Sequence, residues 1–171
     1  MHTFLTLDPS STAIGYALWR GGRPVEIGLL TPDKKSASAA ARIESMRVQV
    51  LALADDLAPD YIVMETCDGP QHSRRGRQAS LGVWARACGV YEGALRTAGL
   101  KVIPVGNDWT RRKSKEARQQ LARGLSPAYA EFADAGKDAG MDVSDAIALG
   151  AWWLDYQREA MLKRIKEGAQ A

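Results

Sequence analysis

Four carboxylates stand where predicted elements end or begin: Asp8, Glu65, Asp142 and Asp145. Asp8 closes the apolar run Thr3-Phe4-Leu5-Thr6-Leu7, and Glu65 closes Tyr61-Ile62-Val63-Met64. Asp142 and Asp145 open a strongly apolar segment that reaches Leu154. If the two strand ends are neighbours and that segment covers them, four negative charges converge. Such a cluster repels itself unless divalent cations sit in it. Hard cations such as Mg²⁺ prefer oxygen ligands, and two of them about 3.5–4 Å apart can clamp the attacking and leaving oxygens of a phosphodiester. The pattern predicts a metal-dependent phosphodiester hydrolysis.

Each acid also has a plainer reading. Asp8 precedes Pro9 and Ser10 and could close an Asx-turn. Asp142 could cap a helix, with Asp145 in its first turn favoured by the helix dipole. Glu65 is harder to explain away, because a carboxylate at the end of an apolar, buried strand needs a partner. Three residues apart in a helix, Asp142 and Asp145 share a face, and Ala146-Ile147-Ala148-Leu149 would press that face to the sheet. No Ser-His-Asp or Cys-His set is evident. The two histidines are His2, at a strand start, and His72, in a basic loop, where it could touch phosphate or simply decorate the surface.

The elements that must position these acids follow from periodicity. Residues 3–8, 13–19 and 24–30 read as strands joined by short turns, which implies an antiparallel meander. From 37 to 57, Ile43, Met46, Val50, Leu53 and Leu57 recur at helical spacing. The strand ending at Glu65 follows a helix and so should lie parallel to the first. A loop over 67–77, a helix over 78–98, a short strand over 100–105 and a helix over 113–125 come next. Residues 127–140 read as a helical turn or linker, and the last helix covers about 143–166. Gly82, Gly89 and Gly93 weaken the 78–98 helix by roughly 1 kcal/mol each against alanine, which close packing could explain. The order is β-β-β-α-β-α-β-α-α: an α/β fold with a mixed five-stranded sheet, three antiparallel strands then two parallel, and helices on both faces. Residues 1–171 read as a single domain whose last ten or so residues fray.

The chain has 171 residues, 46% hydrophobic and 25% charged, enough for one real core. A net charge of +3 does not by itself demand a nucleic-acid partner, but its distribution suggests one. Arg74, Arg75 and Arg77 crowd one stretch, and Arg111, Arg112, Lys113, Lys115 and Arg118 another. Such patches neutralise backbone phosphates, or else form solvated faces. Cys67 and Cys88 lack zinc-site spacing and disulfide density, as expected of thiols in a reducing compartment. Met1-His2 leads straight into a strand without a secretory leader, and no apolar run nears the roughly 20 residues needed to span a bilayer. A cytoplasmic protein with no membrane partner is expected.

Four segments together resemble the RuvC-type Holliday junction resolvases of the ribonuclease H-like superfamily. Leu5-Thr6-Leu7-Asp8-Pro9-Ser10-Ser11-Thr12-Ala13-Ile14-Gly15-Tyr16 is similar to the family's first-strand motif, and Ile62-Val63-Met64-Glu65 to its second acidic strand. Residues 81–90 are similar to its central helix, and Asp142-Val143-Ser144-Asp145-Ala146 to its Asp-x-x-Asp-Ala helix. The likeness spans roughly residues 3–155, and its short form resembles phage-encoded members. It implies a ribonuclease H-like fold and a homodimer that cuts a four-way DNA junction at two strands of like polarity. It also implies two Mg²⁺ ions, replaceable by Mn²⁺, on Asp8, Glu65, Asp142 and Asp145. By the same likeness Lys113 and Lys115 would touch DNA near the scissile phosphate, while the basic patches themselves make Arg74, Arg75, Arg77, Arg111, Arg112 and His72 further candidate DNA contacts. Gly82, Trp84 and Gly89 would supply dimer contacts. A bacterial or phage-infected cytoplasm would be its setting.

Two departures stand out. Ser10 occupies a position where the bacterial enzymes have glycine, tolerable if no positive φ is needed there. The loop after Glu65, Thr66-Cys67-Asp68-Gly69-Pro70-Gln71-His72, lacks the aromatic wedge of many members. Three alternatives stay open: a nuclease of the same fold for flaps, forks or RNA–DNA hybrids, a non-catalytic junction binder, and an actin-like ATPase half. The last would need a second domain for which 171 residues leave no room.

Overall fold

The computed structural model describes residues 2–34, 37–67 and 78–168. Five strands form one sheet: β1 (Phe4–Pro9), β2 (Ile14–Arg20), β3 (Arg23–Leu30), β4 (Tyr61–Thr66) and β5 (Val102–Gly106). Their order is β3-β2-β1-β4-β5. β1, β2 and β3 pair antiparallel, whereas β4 and β5 run parallel to β1, as the meander and crossover pattern predicts. The helices are α1 (Ala39–Leu57), α2 (Gln78–Thr97), α3 (Lys115–Leu125), α4 (Pro127–Asp134) and α5 (Asp142–Gly168), with a 3-10 helix at Asn107–Arg112.

Alternation along the strands divides the core in two. Leu5 and Leu7 of β1, Ile14 and Leu18 of β2, and Ile62 and Met64 of β4 pack against α1 and α2 through Ile43, Met46, Val50, Tyr91 and Leu95. Phe4, Ala17, Trp19 and Val63 point the other way, against α3 to α5 through Ala122, Tyr129, Val143 and Ile147. Asp8 and Glu65 continue the second series and therefore emerge on the α5 side. The β1–β4 register ends at Leu7 opposite Met64. One further step sets Asp8 beside Glu65, on strands about 4.8 Å apart.

Two glycines let α5 lie directly on this face. A Cβ at Gly15 would overlap the main-chain carbonyl of Asp142, and one at Gly150 would overlap the Trp19 indole. Trp19 is itself fixed, its Nε1 donating to Thr6 Oγ1 at 3.2 Å. The glycines of α2 behave differently from expectation. A Cβ at Gly82, Gly89 or Gly93 would meet nothing within 4 Å among the described residues, so packing against these does not explain them. Two helical features exceed the sequence reading. Ser126 caps α4, accepting from Tyr129 N, and Pro127 starts that helix, so much of the expected linker is ordered. α5 continues to Gly168, through most of the tail expected to fray.

Candidate active site

The turn after Asp8 is built by Ser10. Its hydroxyl donates to Ala13 O at 2.8 Å and accepts from Thr12 N and Ala13 N at 3.1 and 3.0 Å. The residue has no positive φ, so serine replaces glycine here without backbone strain. Three successive carbonyls of the turn are held from outside. Trp84 Nε1 donates to Pro9 O at 2.8 Å, Tyr91 Oη to Ser10 O at 3.1 Å, and Arg42 Nε to Ser11 O at 3.0 Å. Trp84, expected at a dimer contact, thus ties α2 to the Asp8 turn within the chain.

The start of α5 supplies the other two acids, and Asp138 shows that neither is needed as its cap. The Asp138 carboxylate accepts from Val143 N and Ser144 N, both at 3.0 Å, and from the Tyr129 hydroxyl at 2.9 Å. The plain capping reading of Asp142 therefore fails: the buried Asp138 does that work from four residues upstream. Sequence reading passed over Asp138 as part of a polar linker. Its only local signal is an acid just ahead of an apolar helix.

Asp8, Glu65, Asp142 and Asp145 come together at this end of the sheet. Burial raises the Asp8 carboxyl well above its ordinary value of 3.8, and the charges of Glu65, Asp145 and Asp142 push it further. Glu65 is raised as well, first by burial, with Asp8 close enough to share a proton with it. Asp142 is raised by burial and then by Asp138 and Asp145, with Lys115 pulling the other way. A carboxyl that holds its proton more tightly when folded favours folding at low pH, and that contribution fades as pH rises through the interval between its unfolded and folded pKa. The metal-free protein should therefore lose thermal stability as pH climbs above the ordinary carboxylate range. Mg²⁺ should restore it, and Asp8→Asn should flatten the slope. Melting temperatures across pH, with EDTA or with Mg²⁺, test this; a slope unchanged in Asp8→Asn would remove Asp8 as its source.

Arg118 corrects the reading of the second basic stretch. Its place in a basic run predicts a surface cation for phosphate, yet it is 6% exposed and paired to Asp145. Nε meets Oδ1 at 2.6 Å and Nη2 meets Oδ2 at 3.0 Å, while Nη1 donates to Lys113 O at 2.8 Å. The guanidinium also sits over the Trp109 ring, 5.7 Å from its centroid. The physical reason is helical phase: Arg118 shares the inward stripe of α3 with Ala122, and an inward arginine needs a buried acid. Trp109, not singled out from sequence, is buried with an indole N–H that completes no hydrogen bond of good geometry. It lies close enough to Glu65 to hold that carboxyl's pKa down.

Of the expected DNA contacts, Lys113 and Lys115 are exposed at the start of α3. Arg111 and Arg112 lie in the 3-10 helix. Arg74, Arg75, Arg77 and His72 fall outside the described residues. Among the described residues, a Cβ at Gly82 or Gly89 of α2 would meet nothing within 4 Å. Burial pushes the Cys88 thiol up to about 12. No described helix is long and apolar enough to cross a membrane.

The donor set is all oxygen, from crowded carboxyls that repel one another, which suits a hard divalent cation. Among the described residues no three acidic, histidine or cysteine side chains stand in finished ligand geometry. Arg118 engages both Asp145 oxygens, which sets that acid apart from Asp8, Glu65 and Asp142.

Known structures share this arrangement of strands and helices. Thermus thermophilus RuvC, solved in complex with a Holliday junction substrate, superimposes with a TM-score of 0.65 at 16% identity, over 93% of this chain and 96% of that one. The chain has the RuvC fold. A second T. thermophilus RuvC structure gives a TM-score of 0.61 at 17% identity, over 92% of this chain and 96% of that one. The yeast mitochondrial Holliday junction resolvase Ydc2 gives 0.60 at 12% identity, over 96% of this chain and 85% of that one. No family model and no curated protein matches at the level of sequence. The ribonuclease H-like α/β architecture expected from sequence, three antiparallel strands then two parallel with helices on both faces, is the one observed.

Proposed function

We propose that the chain is a divalent-metal-dependent endonuclease that resolves four-way DNA junctions. One observation carries the reading: Asp8 and Glu65, at adjacent strand ends of a RuvC fold, meet the acid-bearing start of α5 on the same face. Asp8, Glu65 and Asp142 would hold Mg²⁺, or Mn²⁺ in its place, which when bound neutralises charge on the scissile phosphate and activates water. The chain's own residues do the rest. Ser10, Trp84, Tyr91 and Arg42 fix the turn behind Asp8. Asp138 and Gly15 set the start of α5. Arg118 keeps Asp145 from adding a free charge. Lys113 and Lys115 flank the acids where a phosphate backbone would lie, and Lys115 already acts on Asp142.

The open, glycine-lined face of α2 supports pairing of two copies, which would present two such sites to opposite strands of a symmetrical junction. The test is a Mg²⁺-dependent cleavage assay on a synthetic four-way junction, with duplex, flap and RNA–DNA hybrid alongside. Paired nicks in the junction are expected. Preference for the hybrid or flap would instead make it another nuclease of this fold, and binding without cutting would leave a junction-binding protein.

Lys115→Ala should weaken junction binding in metal-free buffer with little regard to sequence. The slope of log K against log salt should become shallower by about 1. An unchanged slope would mean Lys115 meets no phosphate.

A further inference from the structure

We propose that Arg118 is a built-in cation of the carboxylate cluster, so that this site takes one divalent ion, on Asp8, Glu65 and Asp142. Asp145 is then a positioning residue, not an ion ligand. The inference rests on the metal-dependent reading above and departs from the two-ion site that the family likeness implies.

The geometry on both sides of the ion pair supports it. Asp145 gives one oxygen to Nε at 2.6 Å and the other to Nη2 at 3.0 Å. This fork-to-fork arrangement is the strongest form of a carboxylate–arginine contact. Arg118 is equally committed. Its remaining terminal nitrogen donates to Lys113 O at 2.8 Å, and its plane lies over the Trp109 indole. Side-chain exposures of 7% and 13% leave little room for water to replace either partner. Swinging Arg118 away would strand a buried charge, the Asp145 carboxylate and a backbone carbonyl together.

A second ion bound at Asp145 would therefore have to displace a guanidinium or sit beside it. The first breaks three hydrogen bonds, and the second sets a divalent cation against a fixed positive charge. Glu65 feels the same wall, since Arg118 acts on it directly and the Trp109 indole N–H approaches it. Toward Asp8 the acids crowd one another, with burial and the charges of Glu65, Asp145 and Asp142 all acting on the Asp8 carboxyl. Asp142 feels Lys115, and its charge is opposed by Asp138 and Asp145. A cation held there would relieve the mutual repulsion of Asp8, Glu65 and Asp142. Asp145 instead anchors Arg118, and through Lys113 O it ties the start of α3 to the acids.

The experiment counts Mn²⁺ on the full chain without DNA, by titration calorimetry and electron paramagnetic resonance. The wild type should bind one Mn²⁺ per chain with the spectrum of an isolated ion. Arg118→Met should free Asp145 and admit a second Mn²⁺, seen as a doubled stoichiometry and an exchange-coupled spectrum. The double variant Arg118→Met/Asp145→Asn removes the pair without a net change in charge, and it keeps the test decisive if the single variant does not fold. It should bind one Mn²⁺ within about threefold of the wild-type affinity, because neutral replacement of a buried pair is well tolerated. Two ions on the wild-type chain, or loss of binding in the double variant, would overturn the proposal while leaving a metal-dependent site intact. No Mn²⁺ binding by the wild type would overturn the metal reading and this inference with it.

Discussion

Asp8→Asn and Glu65→Gln should each slow junction cleavage by about a thousandfold or more while junction binding in metal-free buffer persists. Asp8 and Glu65 sit on adjacent strands, within hydrogen-bond reach of each other, and face the acids of α5. Each is thus a donor to any ion held there. Charge stabilisation by such an ion is worth several kcal/mol, and each 1.36 kcal/mol is a factor of ten in rate, so losing about 4 kcal/mol gives roughly three decades. The amides are near-isosteres, and the NH₂ group that Asp8→Asn introduces can still donate to Glu65. The strand ends and the Ser10 turn should therefore survive. On the proposed function binding would be carried by cations elsewhere, Lys113 and Lys115 among them, and removing a negative charge from the groove should leave it equal or tighter. Single-turnover cleavage with enzyme in excess, set beside gel-shift binding in EDTA, separates the two effects. Cleavage within tenfold of wild type for either variant would take that residue out of the chemistry.

The strand-borne half of this site was legible because it obeys local rules. Two apolar runs each end in an acid, a crossover helix makes them parallel, and period-two alternation puts Asp8 and Glu65 on one face. Asp142 and Asp145 were legible through their three-residue spacing ahead of a buried helix. The parts that went unseen depend on contacts between distant residues. Arg118 and Asp145 are 27 residues apart, and nothing in a run of arginines and lysines marks which one turns inward. Helical phase was the available clue: Arg118 falls in step with Ala122. Asp138 escaped because a cap that reaches forward to Val143 and Ser144 through an irregular turn has no fixed spacing. Trp109 escaped because the short 3-10 helix that aims it shows no periodicity. The plain reading of Asp142 as a cap could be rejected only after Asp138 was seen in that role.

Gly15→Ala should unsettle both the fold and the site, and it tests how closely α5 must approach the sheet. Gly15 pairs with Asp8 across β1 and β2, so it lies beside the first acid. Its backbone is ordinary strand, which alanine adopts freely, so any effect comes from contact. The added Cβ would overlap the carbonyl and carbonyl carbon of Asp142 and come within 2.7 Å of Val143 N. These are backbone atoms of a helix start, pinned by Asp138, and they cannot rotate aside as a side-chain tip would. Overpacking of this kind is worth typically 1–3 kcal/mol, which for a chain of this size lowers Tm by roughly 2–4 °C per kcal/mol. If the fold yields instead, Asp142 moves away from Asp8 and Glu65, and a displacement near 1 Å is enough to lower the rate by about a hundredfold. Gly124→Ala supplies the contrast. Its Cβ on exposed α3 would meet nothing within 4 Å, so it should hold or raise Tm and leave cleavage unchanged. Melting curves and single-turnover rates for the two variants decide the matter. A Gly15→Ala protein that melts and cuts like the wild type would show that the first turn of α5 can retreat freely, and the acids would then not form the fixed constellation on which the cleavage reading depends.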